Sequence, residues 1–455
     1  MSKTLKPGEA RAPGHTYQEA IAKDASQPPE AFLDYSYEFL GDQDIPYSHY
    51  TSHQFAQSEM EQLWPRVWQM ACREEHIPEP GDYQVYDIGH LSAIVTRTES
   101  MQIKAYVNAC MHRGTALKPP GDNGYCQAFR CPFHGWVYSL DGELLELPED
   151  WDFPHVGAGT HSLREILVDT WAGFVFVNFD REAESLAEFL GVLPEHFKDF
   201  DIANRRIETH VCKRLPVNWK AAEEAFMEAY HVKETHAGGR DFSEPVTTYD
   251  VYPKNVNRFI HTVGSVNPRM PSAPSEQELM RALWGRRGPA EGDCPTVPEG
   301  ATARDVYAEV IKKSLGEQYD MDFSQYSTAQ TLDSIEYFVF PNFFIFPGLS
   351  LPMVYRFRPD PKDPDYSYFD LYFLRPSEPG SSQPPPEPMM LDVKDSYTLA
   401  EGLGFLGAVY DQDTDNMAAQ TRGFKTCAKG GQTLGNYQEV RIRHLHQRIK
   451  DYVEN

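Results

Sequence analysis

Cysteine is scarce in this chain, with seven among 455 residues. Five of them, Cys72, Cys126, Cys212, Cys294 and Cys427, show no paired spacing. That excludes a disulfide-stapled secreted scaffold and fits a reducing compartment. Cys126 reads as a packed or loop thiol. Long apolar runs are missing too: none approaches the roughly 20 residues of a bilayer-spanning helix. The segment Met1–Ala20 lacks an apolar signal core. A cytoplasmic protein without membrane contact is therefore expected. Positive charge is in deficit, 42 Lys and Arg against 67 Asp and Glu, for a net charge of −25. This removes the basic footprint of a nucleic-acid binder. No internal repeat is seen, and no nicotinamide or flavin fingerprint of the G-x-G-x-x-G type is read. What is present is a globular composition, 41% hydrophobic and 13% aromatic, long enough for two or more domains.

The other two cysteines stand beside histidines. Cys110-Met-His112 is followed by Cys131-Pro-Phe-His134. Each half offers one thiolate and one imidazole from a short loop. Such a set suits a Rieske [2Fe–2S] centre, where two His replace two Cys on one iron. A structural zinc site is the competing reading, because Cys₂His₂ zinc also uses closely spaced pairs. The neighbours favour the cluster. Gly114 and Gly135 follow the two His, letting both loop tips approach a bulky group, and Pro132 stiffens the second loop.

A second metal site is read from Asn218–His236, NWKAAEEAFMEAYHVKETH. Glu224, Glu228 and His231 are spaced i, i+4 and i+7, along one helical face. Ala221, Ala222, Ala225 and Met227 are good helix residues. His236 lies about 140° around the axis from His231 in a regular helix. The helix is therefore expected to bulge or end between them, with Gly238-Gly239 marking an end. The two His then form two legs of a 2-His-1-carboxylate site for non-haem Fe(II). The third leg is sought in Val409–Met417, where Asp411, Asp413 and Asp415 compete. In a helix, positions two apart point about 200° apart. In an extended stretch all three share one side. Glu224 is read as a hydrogen-bonding neighbour of the ligands rather than a ligand. Glu223 and Glu234 are expected to face solvent.

The two sets of motifs together resemble the catalytic (alpha) component of the Rieske non-haem iron ring-hydroxylating oxygenases. The carriers are C-x-H-R-G with C-P-F-H-G-W, then N-W-K with E-x-x-x-E-x-Y-H-x-x-x-x-H, then D-x-x-N-M. The resemblance covers about residues 45 to 430. It implies that Cys110, His112, Cys131 and His134 hold the cluster and that His231 and His236 hold the mononuclear iron. The late motif best matches Asp413-Thr-Asp-Asn416-Met417, which makes Asp413 the third ligand. Glu228, three residues before His231, falls where the family's acid links a cluster His of one subunit to an iron His of its neighbour. The family often has Asp there, so the extra methylene is a departure. Ala225 departs as well, standing where the family often has Asn.

The expected fold class is α+β. An N-terminal arm, 1–45, precedes a Rieske antiparallel β-domain with a flanking helix, 46–178, and a catalytic domain, 179–455. The resemblance implies that this last part is a helix-grip (START-like) antiparallel sheet packed by helices. Residues 54–69 look helical with Pro65 interrupting, and 184–200, 302–316, 391–408 and 416–426 should be helices. Strands are expected at 207–217, 335–346, 352–359 and 368–376. Residues 266–300, rich in Pro, Gly and Ser, read as a mobile insertion rather than a core element, and 377–388 as a surface loop. His210 and His261 read as structural or exposed, and the aromatic run Tyr337–Phe346 as sheet core shared with a substrate wall.

The resemblance implies a terminal oxygenase that uses electrons and O₂ to hydroxylate an apolar aromatic or cyclic substrate, with cis-dihydroxylation first. Monooxygenation and oxidative demethylation use the same ligands. NAD(P)H acts only indirectly, through a reductase or ferredoxin. An acidic ferredoxin would need a local basic patch to dock on this acidic chain. A homotrimer is implied, with or without a beta subunit. The reading of a different class is an electron-transfer Rieske protein without oxygenase activity, which would need no second iron.

Overall fold

The computed structural model describes residues 5–236, 246–266, 272–287, 293–377 and 384–454. Gly238-Gly239 and half of the 377–388 loop lie outside them. The described part of the N-terminal arm packs onto its own chain. Thr16 caps the helix Tyr17–Ile21, and Tyr17, Ile21 and Phe32 are buried. Arg304 ties this arm down. It donates to Asp24 at 3.0 Å and to Asp333 at 2.8 Å, and the Tyr17 hydroxyl donates to Asp333 at 3.0 Å.

Next comes a seven-stranded antiparallel sheet. Its spatial order is Gln69–Arg73, Phe174–Asn178, Glu165–Trp171, Ile103–Val107, Leu91–Arg97, Asp82–Ile88, Asn123–Tyr125. A small three-stranded sheet, Phe129–Arg130, Val137–Tyr138 and Leu144–Glu146, sits beside it. The turns between strands carry the two Cys–His loops. Of residues 54–69, the part up to Arg66 is helical, and Gln69 begins the first strand.

The C-terminal part is built on eight strands in the order Thr247–Val251, Val256–His261, Ser334–Val339, Phe343–Ile345, Met353–Pro359, Ser367–Pro376, Arg205–Leu215, Met389–Leu391. All neighbours are antiparallel except the last pair. Aromatic and β-branched residues dominate these strands, as a pleated, buried surface favours. The two sheets meet through Phe343, whose ring lies 5.2 Å from Phe174 and 5.4 Å from Phe176. The helix Trp219–Glu224 packs over Met353–Pro359 and Ser367–Pro376, and the C-terminal helix Val440–Val453 over Thr247–His261. The α+β class with two antiparallel sheets agrees with expectation.

Several local expectations do not hold. The helix from Asn218 stops at Glu224, not between the two His. Only a single turn, Val232–Thr235, separates His231 from His236. Good helix formers were overruled by burial: Glu223 is fully buried rather than solvent-facing, and burial pushes its carboxyl well up. Glu234 is exposed, as expected. Residues 391–408 are not one helix. They run from a strand end through two short 3₁₀ turns, Tyr397–Leu399 and Glu401–Leu403, into the helix Leu406–Thr414. Helices Ala303–Tyr319 and Met417–Thr426 match expectation. The described part of 266–300 contains the helix Glu276–Arg287, with Leu279 and Met280 buried against Tyr307 and Ala308. Finally, Gly402-Leu-Gly-Phe-Leu-Gly407 does have G-x-G-x-x-G spacing. A 3₁₀ turn precedes the helix there, not a strand, so the dinucleotide-binding context is missing.

His444, on the C-terminal helix, yields a pH expectation. It is buried, and the Asn257 amide donates to its Nδ1 at 3.0 Å. Burial, then the nearby Arg448 guanidinium, push its pKa down to about 4. The unfolded chain takes up this proton near pH 6.5, while the folded chain resists until about 4. This stability is therefore full above pH 6.5 and is lost as pH falls toward 4, by up to about 1.4 kcal/mol per pH unit. The urea midpoint should fall between pH 7 and 5, and less steeply in His444→Gln. An equal slope in that variant would reject the assignment.

Candidate metal centres

Both Cys–His loops fold back in the same way. Gly114 N donates to Cys110 O at 2.9 Å and Gly135 N to Cys131 O at 3.1 Å. The two glycines take φ of 75° and 77°, left-handed values that suit a residue without Cβ. This closes each loop behind its cysteine. Cys110 and Cys131 are buried among Phe129, Trp136 and Tyr138. The Tyr138 hydroxyl lies 3.3 Å from Cys110 Sγ and accepts from Met111 N at 3.0 Å. His112 and His134 pair with ring centroids 4.6 Å apart, and His112 stacks on Trp136 at 5.0 Å. His112 Nδ1 is buried without a hydrogen-bond partner, so it is held ready for something else. Burial pushes the Cys110 thiol up, and the neighbouring Cys131 adds to this. A bound metal reverses that by deprotonating the thiol.

The spacing separates zinc from a cluster. Zinc ligands lie about 2.0–2.3 Å from the ion, so all four would come within about 4.6 Å of one another. Among the described residues the only set of three or more such groups whose ligand atoms meet within 4.8 Å lies elsewhere. The two thiols are neighbours and so are the two imidazoles, a pairing that fits a two-iron core.

That other set is His231, His236 and Asp413. His231 precedes the short turn after the Trp219–Glu224 helix, and His236 ends it. Asp413 comes from Leu406–Thr414, a helix, so Asp411 and Asp415 point away from the side that Asp413 faces. Asp413 faces the His pair, with Oδ1 3.3 Å from His231 Nε2 and 3.0 Å from His236 Nε2. Asp415 is exposed. Asp411 turns to Ser396 and Tyr397 N, the latter at 2.9 Å. Asp413 Oδ1 is buried, yet neither contact has hydrogen-bond alignment. Three ligand atoms drawn to one point without bonding each other suit a shared cation. The outer nitrogens are fixed: His231 Nδ1 lies 2.7 Å from Glu228 Oε1 and His236 Nδ1 2.8 Å from Gln412 Oε1. Such contacts set tautomer and orientation. Burial disfavours the charged His231 ring, but Asp413 and Glu228 outweigh it and raise its pKa to about 10. Burial likewise opposes the charge on Asp413, and the two His outweigh it, holding the acid below its usual range. A metal entering would displace these protons.

Glu224 borders a cavity with Glu228, His231 and Asp413, but its hydrogen bonds go to other groups. Its carboxylate accepts from Tyr50 and lies 2.7 Å from His446 Nε2, and Gln432 donates to it at 2.9 Å. None of these is a candidate ligand. Beside the His pair opens a cavity of about 280 Å³, lined by Phe226, Phe346, Met353, Tyr355 and Val409 among others. His261 also lines it, contrary to expectation. His210 does not: it stacks on Tyr372 and lies 3.2 Å from Asp370. The sequence reading missed Tyr138, Gln412 and Glu336, the last also on the cavity wall. Glu336 had a signal, a lone acid in the apolar strand SIEYFV.

The model for the ring hydroxylating alpha subunit (catalytic domain) family matches residues 200–455, and that for the Rieske [2Fe-2S] domain matches 67–156. The chlorobenzene dioxygenase alpha subunit of Cupriavidus sp. (strain PS12) is 32% identical over 218 residues, 46% of this chain and 48% of that protein. The glycine betaine monooxygenase oxygenase subunit of Pseudomonas aeruginosa (strain UCBPP-PA14) is 28% identical over 196 residues, 42% of this chain and 44% of that one. The chain thus spans about half the length of the curated relatives it matches. Its fold is like that of naphthalene 1,2-dioxygenase from Rhodococcus sp. with indole bound, at TM-score 0.63 and 20% identity over 90% of this chain and 94% of that one. It is also like that of a quaternary ammonium Rieske monooxygenase with L-carnitine bound, at TM-score 0.63 and 17% identity over 90% and 95%. No helix among the described residues is long and apolar enough to cross a membrane. With a Rieske [2Fe-2S] domain ahead of a matching catalytic half, the chain belongs to the ring-hydroxylating alpha subunit family.

Proposed function

We propose that this chain is the terminal component of a multicomponent oxygenase that uses O₂ to hydroxylate a ring compound, with cis-dihydroxylation as the first expectation. One observation carries the reading: His231 and His236 converge on Asp413 at the wall of a largely apolar cavity. An electron carrier needs no such site. Cys110, His112, Cys131 and His134 would hold the cluster, and His231, His236 and Asp413 the iron. When bound, the cluster supplies single electrons and the iron open positions for O₂. The chain's own work is to hold and orient. Phe226, Phe346, Met353 and Tyr355 bind the ring and exclude water, while Glu228 and Gln412 fix the two imidazoles.

The proposed partners are a ferredoxin or reductase and further copies of this chain, as a homotrimer. Met111, Phe133 and Trp151 are exposed near the cluster loops, and the exposed Arg113 and Arg130 stand among them. This is a local apolar surface, with Arg113 beside it and Arg130 paired to Glu146 at 2.8 Å, suited to docking. We place the domain division near residue 178.

The test is a metal count with product analysis. About three irons per chain and acid-labile sulfide are expected, with label from ¹⁸O₂ in the product. Cys131→Ser should lose the Rieske visible and EPR signals. Two irons without label would make the protein an electron carrier, and stoichiometric zinc without sulfide would reject the cluster.

A further inference from the structure

We infer that the cavity beside His231, His236 and Asp413 is shaped for a ring compound bearing a hydrogen-bond donor, a hydroxyl or amino group, which Glu336 accepts. This rests on the proposed function only for which end of the substrate reacts.

Three strands present one face to the cavity. Phe259 with His261, Ser334 with Glu336, and Met353 with Tyr355 all line it, the i, i+2 alternation of a pleated sheet. Phe259 stands opposite Glu336 in the register, and His261 opposite Ser334. A wall meant for a plain hydrocarbon would carry apolar side chains at all these positions. Instead an acid stands in its middle.

Glu336 is buried. Among the described residues its polar partner is Arg441, with Oε1 2.6 Å from Nη2. Arg441 is also fully buried and cannot swing to serve both oxygens. Its Nε donates to Asn257 at 2.6 Å and its Nη1 to Met227 O at 3.0 Å. Its guanidinium lies 4.8 Å from the Phe259 ring centre. Burial pushes the Glu336 carboxyl up to about 7 against the pull of Arg441. Above that pH it is ionised and offers about four lone-pair sites, and a buried carboxylate left short of partners is unfavourable. Oε1, although it lies beside Arg441, has no aligned hydrogen bond. The cavity is where a donor for it can come from.

Residues outside these strands fix the rest of the ligand. Phe226 and Val409 offer apolar surface there, and the metal-ligand candidates line the same cavity. About 280 Å³ is at the small end of ligand cavities, which begin near 300 Å³. A single ring with a short polar group is the matching size. The Arg441–Glu336 pair is neutral overall, which favours a neutral donor over a cation.

Calorimetric titration of the metal-loaded protein without oxygen tests this, with benzene, phenol and aniline as probes. Transfer from water alone favours benzene, since burying a polar group costs affinity unless it is bonded. The expected order is the reverse, with phenol or aniline at least about tenfold tighter than benzene. Glu336→Gln should shrink that preference. The pair Glu336→Leu with Arg441→Met, which leaves neither charge alone, should bring it within about twofold. Benzene binding as tightly as phenol to the natural protein overturns the inference without any variant. So does a preference that survives the pair, with circular dichroism showing it folded. If instead the donor preference stands but no ring compound takes up ¹⁸O, the oxygenase reading fails and this one does not.

Discussion

Asp413→Ala is expected to lose the mononuclear iron, and with it turnover by roughly a thousandfold or more, while the Rieske spectrum stays. The reason is geometric. Asp413 Oδ1 is the one atom that both His Nε2 atoms approach, at 3.3 and 3.0 Å. Removing it leaves two imidazoles with nothing to complete the set, and two neutral nitrogens hold a divalent ion far less well than the charged trio. The flanking aspartates are internal controls. Asp415 is exposed and points away. Asp411 accepts from Ser396 and from Tyr397 N and lies 3.8 Å from Lys213. Asp411→Ala should therefore lower stability yet keep the iron, and Asp415→Ala should change neither. Iron analysis and EPR of the three variants decide. Iron kept in Asp413→Ala but lost in either neighbour would refute this arrangement.

The helix Leu406–Thr414 is what makes that choice readable, and its part in the sequence shows where reading from residues ends. Cys110, His112, Cys131 and His134 are legible because each loop closes within five residues, so pattern and geometry are one thing. His231 and His236 are legible for the same reason. The third member comes from a distant helix, and three aspartates fit the pattern until the backbone conformation is known. Glu224 shows the opposite failure. Its spacing to Glu228 and His231 argues for one helical face, and local propensity agrees. Tertiary contacts overrule it: Tyr50, Gln432 and His446 come from three distant elements to claim the carboxylate, and the helix ends there. Propensity is a weak prior against such burial. Glu336 was hidden by its neighbours, since an aromatic run reads as core whatever single acid it contains. Its partner Arg441 lies on the last helix, beyond any local pattern.

Glu228→Gln is expected to keep both metal sites loaded and yet cut turnover about 10- to 100-fold. Oε1 takes the His231 Nδ1 proton at 2.7 Å, and Oε2 takes the backbone N–H of His231 at 3.0 Å and that of Tyr230. Both oxygens therefore face donors. A glutamine keeps one acceptor and turns an NH₂ toward the other donors, which strains the contact without emptying the site. The charge matters as well. A carboxylate beside His231 fixes the Nδ1–H tautomer, leaves Nε2 free for a metal, and raises ligand basicity. In the proposed homotrimer it would have a second duty, linking a neighbour's cluster histidine to this one. The side chain keeps about 10% of its surface exposed, and it borders a cavity shared with Asn416, Gln420 and Glu439, so a partner group has a way in. Stopped-flow oxidation of the reduced cluster separates these duties from mere support of the fold. It should slow in step with turnover, while substrate KM, iron content and thermal midpoint hold. A single-turnover rate near that of the natural protein, with the cluster reoxidising at its usual speed, would leave Glu228 as a brace for the turn Tyr230–His231 and nothing more.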